Sequence, residues 1–517
     1  MGRSGAARGR ARGWLRVAVA AWVGLSAGMA MARDPDPVAT VRLEAMGFQS
    51  LQQEFLVAGS SMLTVDFVDK DHLLVTFCLR RLMKRVVDAP PGDDDRMIGA
   101  YLVELPKGRV LARTEWRVHD RTQYLWSLGQ GRFLLRVRDD LSVIAPMGGA
   151  RLEDAFVEHP FLHMGRRIEA ALVSADGELL TVETTKPGVV WDPEEKNAEP
   201  VQINFYRLKG LDGGGMQATS AGVIRTRSAV ALPLTTTGIL DVLEGGRDTW
   251  MFNFDEHTGK VRELAAFDTT CVPHVTFVGK GEFVAFGCRG SADKQDIAGF
   301  NLKGEAMWQQ NFFDTHLFPT FAFAPEAGRF ALGRTVLDGA VTSDNLMNEV
   351  NSQEVRVYQS YSGRMLLRVG CSPVERAGQN FAISPDGLKL AAVQETMVRH
   401  AATQDDPAYT DKETAVEVYA LPALTEKDRL AVKAADAMAP EDTGARIDEA
   451  LMRLSSAGPG AGDAGGVAAP VAADVPAAAA APVAAAAEGA GSVAEGDAVP
   501  DAPRKAPTLY GPGEGPK

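Results

Sequence analysis

The sequence predicts an all-β fold, a seven-bladed β-propeller of four-stranded antiparallel blades, and two observations carry the prediction. A strand–turn–strand unit recurs along the chain at near-constant spacing. Between the two termini, short apolar runs alternate with Gly, Asp and Lys, the pattern of hairpins rather than of amphipathic helices. Repetition at this period is the mark of stacked or ring-closed supersecondary units.

The N-terminus is set aside first. Residues 1–32 carry Arg3, Arg8, Arg10, Arg12 and Arg16 without an acidic residue, then an uncharged stretch from Val17 that ends in Ala30-Met31-Ala32. This is the layout of a secretory signal peptide, with cleavage expected before Arg33. A membrane anchor is the alternative. However, the 16-residue stretch is interrupted by Gly24, Ser26 and Gly28, and a span needs about 20 apolar residues. No cysteine stands near the cut and no Arg-Arg pair precedes the stretch, so Sec-type export to an extracytoplasmic location, periplasmic or secreted, is expected. Removing the segment moves the formal net charge from -13 to -18. A chain this acidic repels nucleic acid, and no other stretch of the mature chain is long enough to span a membrane.

The propeller is assigned to residues 33–435. Val65 to Cys78 lies over Val275 to Cys288 at an offset of 210 without a gap, and Leu125 to Leu135 fits the same frame. A second version, Val173-Ser174-Ala175-Asp176-Gly177, matches Ile383-Ser384-Pro385-Asp386-Gly387, and Phe323 to Phe330 is a third copy with one extra residue. Gly or Asp at each centre tolerates the positive φ of a tight turn. A second half-motif, an apolar pair before Gly108, Gly210, Gly259, Gly304 or Gly363, supplies the other hairpin of each unit.

Hairpins start near residues 65, 125, 171, 275, 321 and 381. The step of 104 between the third and fourth is twice 52 and hides a degenerate unit, for which Ile239 to Leu243 and Trp250-Met251-Phe252 supply strands. Seven units at about 53 residues each fit a ring whose closure removes exposed sheet edges. Beyond the ring, a short helical segment is expected at 436–455, where Ile447, Leu451 and Leu454 share a face. A disordered Ala/Pro/Gly-rich tail is expected at 456–517, since residues 456–503 hold no aromatic residue, Lys or Arg.

Ser384-Pro385-Asp386-Gly387 followed by Leu388-Lys389-Leu390-Ala391 resembles the hairpin signature of bacterial WD-repeat, YVTN-type and Tol-associated propellers. The resemblance covers residues 60 to about 435 and implies an architecture, not a ligand, because propellers host binding and catalysis alike. Gly-His and Trp-Asp dipeptides do not recur as in eukaryotic-type WD repeats. Trp116, Trp126, Trp191, Trp250 and Trp308 do not recur at one blade position, unlike the tryptophan motif of pyrroloquinoline-quinone dehydrogenases.

In an exported chain four cysteines point to disulfides. Cys271 and Cys288 flank the turn at Gly279-Lys280-Gly281 nearly symmetrically, so they face each other at the open end of a hairpin and a bridge is expected. Cys78 lies in the first blade and Cys371 just before the first strand of the last, as read from the repeat, so a second bridge across the ring seam is a further possibility.

No catalytic, cofactor or metal site is expected. His159 and His163 have the spacing of a helical zinc pair, but Pro160 lies between them and no HExxH glutamate is present. Asp93-Asp94-Asp95 lacks the alternating ligands of a calcium loop. Gly213-Gly214-Gly215 is not followed by a phosphate-binding Lys, and no GxSxG occurs. The expected role is therefore a binding or assembly module of the cell envelope, with an unidentified protein or small molecule as ligand. A small-molecule enzyme of the lactonase or cyclotransferase kind is the alternative.

Overall fold

Strand pairing in the computed structural model builds seven four-stranded antiparallel sheets. The structure describes residues 35–48, 62–79, 96–118, 123–149, 151–186, 201–226, 233–289, 291–312, 316–337, 350–372, 380–401 and 408–447. All belong to the unit Met1–Ala478; the unit Ala479–Lys517 lies outside them. The expected signal peptide and the whole of the expected tail also lie outside the described residues.

The chain opens with β1 (Ala39–Arg42) and then lays down six complete sheets in order. Blade 1 holds β2 (Thr64–Asp69), β3 (His72–Cys78), β4 (Arg96–Glu104) and β5 (Arg109–Val118); blade 2 holds β6 (Leu125–Gly129), β7 (Arg132–Val137), β8 (Asp140–Ile144) and β9 (Glu158–His163). Blade 3 is β10 (Arg167–Val173), β11 (Leu179–Thr185), β12 (Val201–Gly210) and β13 (Met216–Thr226). Blade 4 is β14 (Leu234–Thr235), β15 (Gly238–Gly246), β16 (Thr249–Glu256) and β17 (Val261–Asp268). Blade 5 comprises β18 (His274–Phe277), β19 (Glu282–Arg289), β20 (Ser291–Asn301) and β21 (Ala306–Phe312); blade 6 comprises β22 (His316–Ala324), β23 (Arg329–Leu337), β24 (Val350–Gln359) and β25 (Met365–Cys371). Blade 7 has three C-terminal strands, β26 (Phe381–Ile383), β27 (Lys389–His400) and β28 (Tyr409–Ala420), and takes β1 as its outer strand.

The repeat frame is the pairing register. Asp66 lies opposite Leu74 in blade 1, Trp126 opposite Leu134 in blade 2 and Thr276 opposite Val284 in blade 5. The Ser-x-Asp-Gly turn has a common cause in blades 3 and 7. Ser174 and Ser384 each donate a hydroxyl hydrogen bond to the Asp two residues on, and accept from the backbone N–H of Leu179 and Lys389 at 3.0 and 2.9 Å. The glycine that follows sits at φ 70° or 67°, where a Cβ would be strained. The degenerate unit is blade 4, whose innermost strand is only two residues long.

Ring closure joins the two ends of the domain. Ala39 pairs with Val418 and Arg42 with Ala415, while Ala39, Val41, Leu43 and Phe48 enter a core shared with blades 1, 6 and 7. Phe48 packs edge-on against Phe77, and the Tyr101 hydroxyl donates to the Met46 carbonyl at 2.7 Å.

The α-helix described, α1 (Glu426–Asp436), lies earlier than the expected helical segment 436–455. Thr425 and Asp428 form a capping box that starts it. Of the expected segment, residues 448–455 lie outside the described residues, and Ile447 is fully buried.

Candidate functional site

The two faces of the ring differ, and the difference follows from topology. The first-to-second strand connections, and the third-to-fourth connections of blades 1, 3, 4, 5 and 6, are short turns on one face, the turn face, where blade 2 carries a longer connection, 145–157; Leu105 N–H, in such a turn, donates to Asp71 O in the other turn of its blade. The ends of the second and third strands lie on the opposite face, the loop face; in blades 1, 3, 6 and 7 the segments that join them, 79–95, 186–200, 338–349 and 401–408, fall mostly outside the described residues.

The turn face is stitched from blade to blade by polar side chains. Lys389 of blade 7 reaches Asp71 of blade 1 at 3.0 Å, and Thr236 of blade 4 donates to Asp176 of blade 3 at 2.8 Å. Ser360 of blade 6 donates to Glu282 of blade 5 at 2.6 Å, and Lys280 of blade 5 pairs with Glu178 of blade 3 at 3.0 Å, past the shortened blade 4. Arg329 is wholly buried in blade 6 and donates to Gln359 Oε1, to the Gly387 carbonyl of blade 7 and to the Pro422 carbonyl.

Pro422 begins a strap, residues 421–447, that crosses this face. The Tyr361 hydroxyl of blade 6 donates to Asp428 at 3.0 Å, and the Ala435 carbonyl lies so close to Gly281 of blade 5 that a Cβ there would come within 1.9 Å of it. Met438 and Ala439 pack on the phenylalanine-rich core of blades 4 and 5. Arg207 of blade 3 clamps Asp442 in bidentate fashion, at 3.1 and 3.0 Å, and donates to the Ala445 carbonyl at 2.9 Å. Ile447 ends the described strap in the core of blades 3 and 4. Beside this clamp, burial holds the His257 imidazole down at about 4, with the Arg207 charge acting in the same direction.

The innermost strands border the ring axis. Their partly buried residues include Asp66 on β2, Glu169 on β10, His274 and Thr276 on β18, and Phe321 and Phe323 on β22. His274 stacks flat on Phe321, ring centroids 5.7 Å apart, and burial lowers its pKa. Asp66 stands between Thr64 and Val68 on the side of β2 that faces blade 2. Next to it, Thr64 bonds Thr76, Thr76 bonds the Tyr124 hydroxyl, and that hydroxyl reaches the Met62 carbonyl. Burial pushes the Asp66 carboxyl up to about 7. No described hydrogen bond or ion pair involves this carboxyl.

The residues singled out from sequence are placed as follows. Cys271 and Cys288 form a disulfide in blade 5, Cα atoms 5.4 Å apart, buttressed by Thr269, which accepts from Cys288 N–H and donates to the Cys288 carbonyl. The seam bridge between Cys78 and Cys371 is not formed. Cys371 ends the outer strand of blade 6 and donates to the Asn380 carbonyl at 3.3 Å; blade 7 stands between it and the blade of Cys78, and the seam is closed instead by β1 on β28. His159 and His163 lie on strand β9, not on a helix. His163 meets Asp140 at 2.8 Å, and with Asp139 the three donor groups fall within 4.8 Å of one another on the solvent side. Gly213 to Gly215 belong to the turn between β12 and β13. Asp93 to Asp95 lie outside the described residues. No described helix is long and apolar enough to cross a membrane.

No family model matches the chain, and no curated protein does. Among solved structures the chain is similar to Hsv2 of Kluyveromyces lactis, at 12% identity and TM-score 0.28 over 52% of this chain and 70% of that one. It is also similar to the β-propeller domain of the Trilobed protease from Pyrococcus furiosus, which has an open velcro topology, at 8% identity and TM-score 0.36 over 72% and 100%. A third is a mutant of the Synechocystis apocarotenoid oxygenase, at 10% identity and TM-score 0.32 over 72% and 89%. At these scores the likenesses carry no statement about activity, and the fold assignment rests on the strand pairing itself.

Proposed function

We propose that this protein is an exported binding or assembly module of the cell envelope, with the loop face as its working surface. The observation that supports this reading is the strap: residues 421–447 already occupy the turn face across blades 7 to 3. The second-to-third strand connections, from one residue in blade 5 to seventeen in blade 1, belong to the other face, and loops of varied length on a rigid scaffold are where binding residues are usually placed.

The test is site-specific photocrosslinking in the producing cell. A crosslinker at Arg247, in a second-to-third strand turn, or at Asp140, which follows one, should yield discrete adducts, whereas one at Lys303 or Gln130 on the turn face should not. Adducts confined to the turn-face positions would overturn the assignment of the face. Recovery of the unprocessed chain in the cytoplasm would overturn the envelope role.

A further inference from the structure

We propose that Asp139, Asp140 and His163, at the loop-face end of blade 2, form a binding site for a divalent transition metal ion of the zinc class. Their donor atoms lie within 4.8 Å of one another, and among the described residues no other trio of His, Cys, Asp or Glu side chains comes so close together. The backbone that carries them is fixed. Arg138 and Asp139 form the turn between β7 and β8, Asp140 opens β8, and His163 closes β9 directly opposite Asp140 in the antiparallel register. The Met164 N–H, next in sequence to His163, donates to the Asp139 carbonyl at 2.9 Å and ties the end of β9 to the turn. The donor groups are therefore mounted on paired strands and a tight turn, not on a long loop.

The imidazole meets a carboxylate at each nitrogen, and the two contacts differ in kind. Nδ1 stands 2.8 Å from Asp140 Oδ1, at hydrogen-bond distance. Nε2 stands 3.9 Å from Asp139 Oδ2, too far for a hydrogen bond. An ionised carboxylate can only accept, so the first contact puts the proton on Nδ1 and leaves the lone pair of the neutral ring on Nε2. This is the arrangement in which a carboxylate behind the ring orients a metal-binding histidine. The second contact has the separation of two ligands on one ion, because bonds of about 2.0–2.2 Å from an imidazole nitrogen and a carboxylate oxygen bridge a gap of that size. Asp139 and His163 Nε2 are then the direct ligands and Asp140 the orienting group. All three side chains reach solvent, so water can complete the coordination sphere.

The ring nitrogen sets the metal class: calcium and magnesium take oxygen ligands, whereas zinc, nickel and copper take imidazole. His159, which shares with His163 the spacing of a helical zinc pair, does not contribute, since four residues along strand β9 span about 13 Å. The inference goes beyond the proposed function and does not depend on a protein partner at the loop face.

The experiment is calorimetric titration of the full mature chain, without an affinity tag, with zinc chloride in a non-chelating buffer at neutral pH. Zinc should saturate one site, and excess magnesium should not displace it. His163→Ala and Asp139→Asn should each weaken binding by more than about tenfold, and Asp140→Asn, which removes the orienting carboxylate, by about tenfold. His159→Ala and Asp154→Asn, which remove another histidine and another exposed carboxylate of the same blade, should leave the affinity unchanged. Without zinc the variants should melt with the parent, and zinc should raise the melting midpoint of the parent and not that of His163→Ala. Unchanged affinity in His163→Ala or Asp139→Asn, an equal loss in His159→Ala or Asp154→Asn, or no saturable zinc binding would overturn the proposal.

Discussion

A buried histidine and a partly buried carboxylate should give the fold opposing responses to acid, and substitution of either one should unmask the other. His257 is almost wholly buried beside the Arg207–Asp442 clamp and is held at about 4, against 6.5 for the free side chain. Because its folded pKa is depressed, it costs nothing above 6.5, and the penalty grows as pH falls from 6.5 toward 4 while the unfolded chain takes up the proton. At pH 5 the linkage amounts to about 2 kcal/mol of lost stability. Asp66 behaves in the opposite sense. Its folded pKa is raised from 3.8 to about 7, so its penalty grows between those values and is relieved on acidification. From pH 7 to pH 5 that relief is again about 2 kcal/mol. In urea unfolding at both pH values, Asp66→Asn should therefore lose stability on acidification relative to the parent by about 2 kcal/mol, and His257→Leu should gain about as much. The Thr235 backbone partner that His257→Leu abandons adds a loss at both pH values and cancels in the comparison. Asp442, depressed by Arg207, titrates below this window, and the exposed His163–Asp140 pair is common to all three proteins. If either variant kept the parent's pH dependence, the assignment of that group would be refuted.

Other perturbations test the covalent and packing claims. Cys271→Ser/Cys288→Ser should lower stability by about 3 kcal/mol on the chain-entropy estimate for a loop of this size, read from denaturant midpoints. Gly281→Ala puts a methyl group onto the Ala435 carbonyl and should expel α1 while sparing the blades; trypsin should then cut faster at Lys427, Arg429 and Lys433 with strand circular dichroism unchanged. Truncation after Ile447 should leave the melting midpoint in place, whereas truncation after Leu421 should lower it, since only the latter removes the Asp428, Asp442 and Ile447 contacts. Glu354→Gln should cost about 3 to 5 kcal/mol in urea, because buried Glu354 faces Arg334, Arg356 and Arg368 and its loss leaves their charges unmatched.

The ring was legible wherever the turn chemistry repeats. Ser174 and Ser384, or Gly131 and Gly281, stand at positions where a hairpin must reverse within two or three residues, so the frame survives sequence drift around it. Blade 4 was legible only as a gap, because two residues, Leu234 and Thr235, do the work of an innermost strand. The closing strand was not legible. Four residues with two buried side chains, Ala39 and Val41, give no periodic signal, and their partner Ala415 to Val418 lies at the far end of the chain. The strap was hidden for a related reason: it is held by an Arg–Asp clamp, by Ala435 against a glycine and by a lone Ile447, contacts that leave no apolar stripe to read.

Asp66 escaped the sequence reading because the alternation Val65-Asp66-Phe67 has an ordinary interpretation. In a half-buried strand a polar residue between two apolar ones points to water, and no cost attaches to it. That interpretation assumes that the polar face of a strand is an outer surface. Here both faces of the innermost strand are enclosed, one by blade 7 and the other by blade 2, and the water available to Asp66 is that along the ring axis. The same alternation therefore carries a different meaning on the first strand of a blade than on the fourth. In β5 it separates core from solvent, as Trp116 and Val118 are buried while Glu115 and Arg117 are more exposed. In β2 it places a charge at the axis, and only ring closure decides which reading applies.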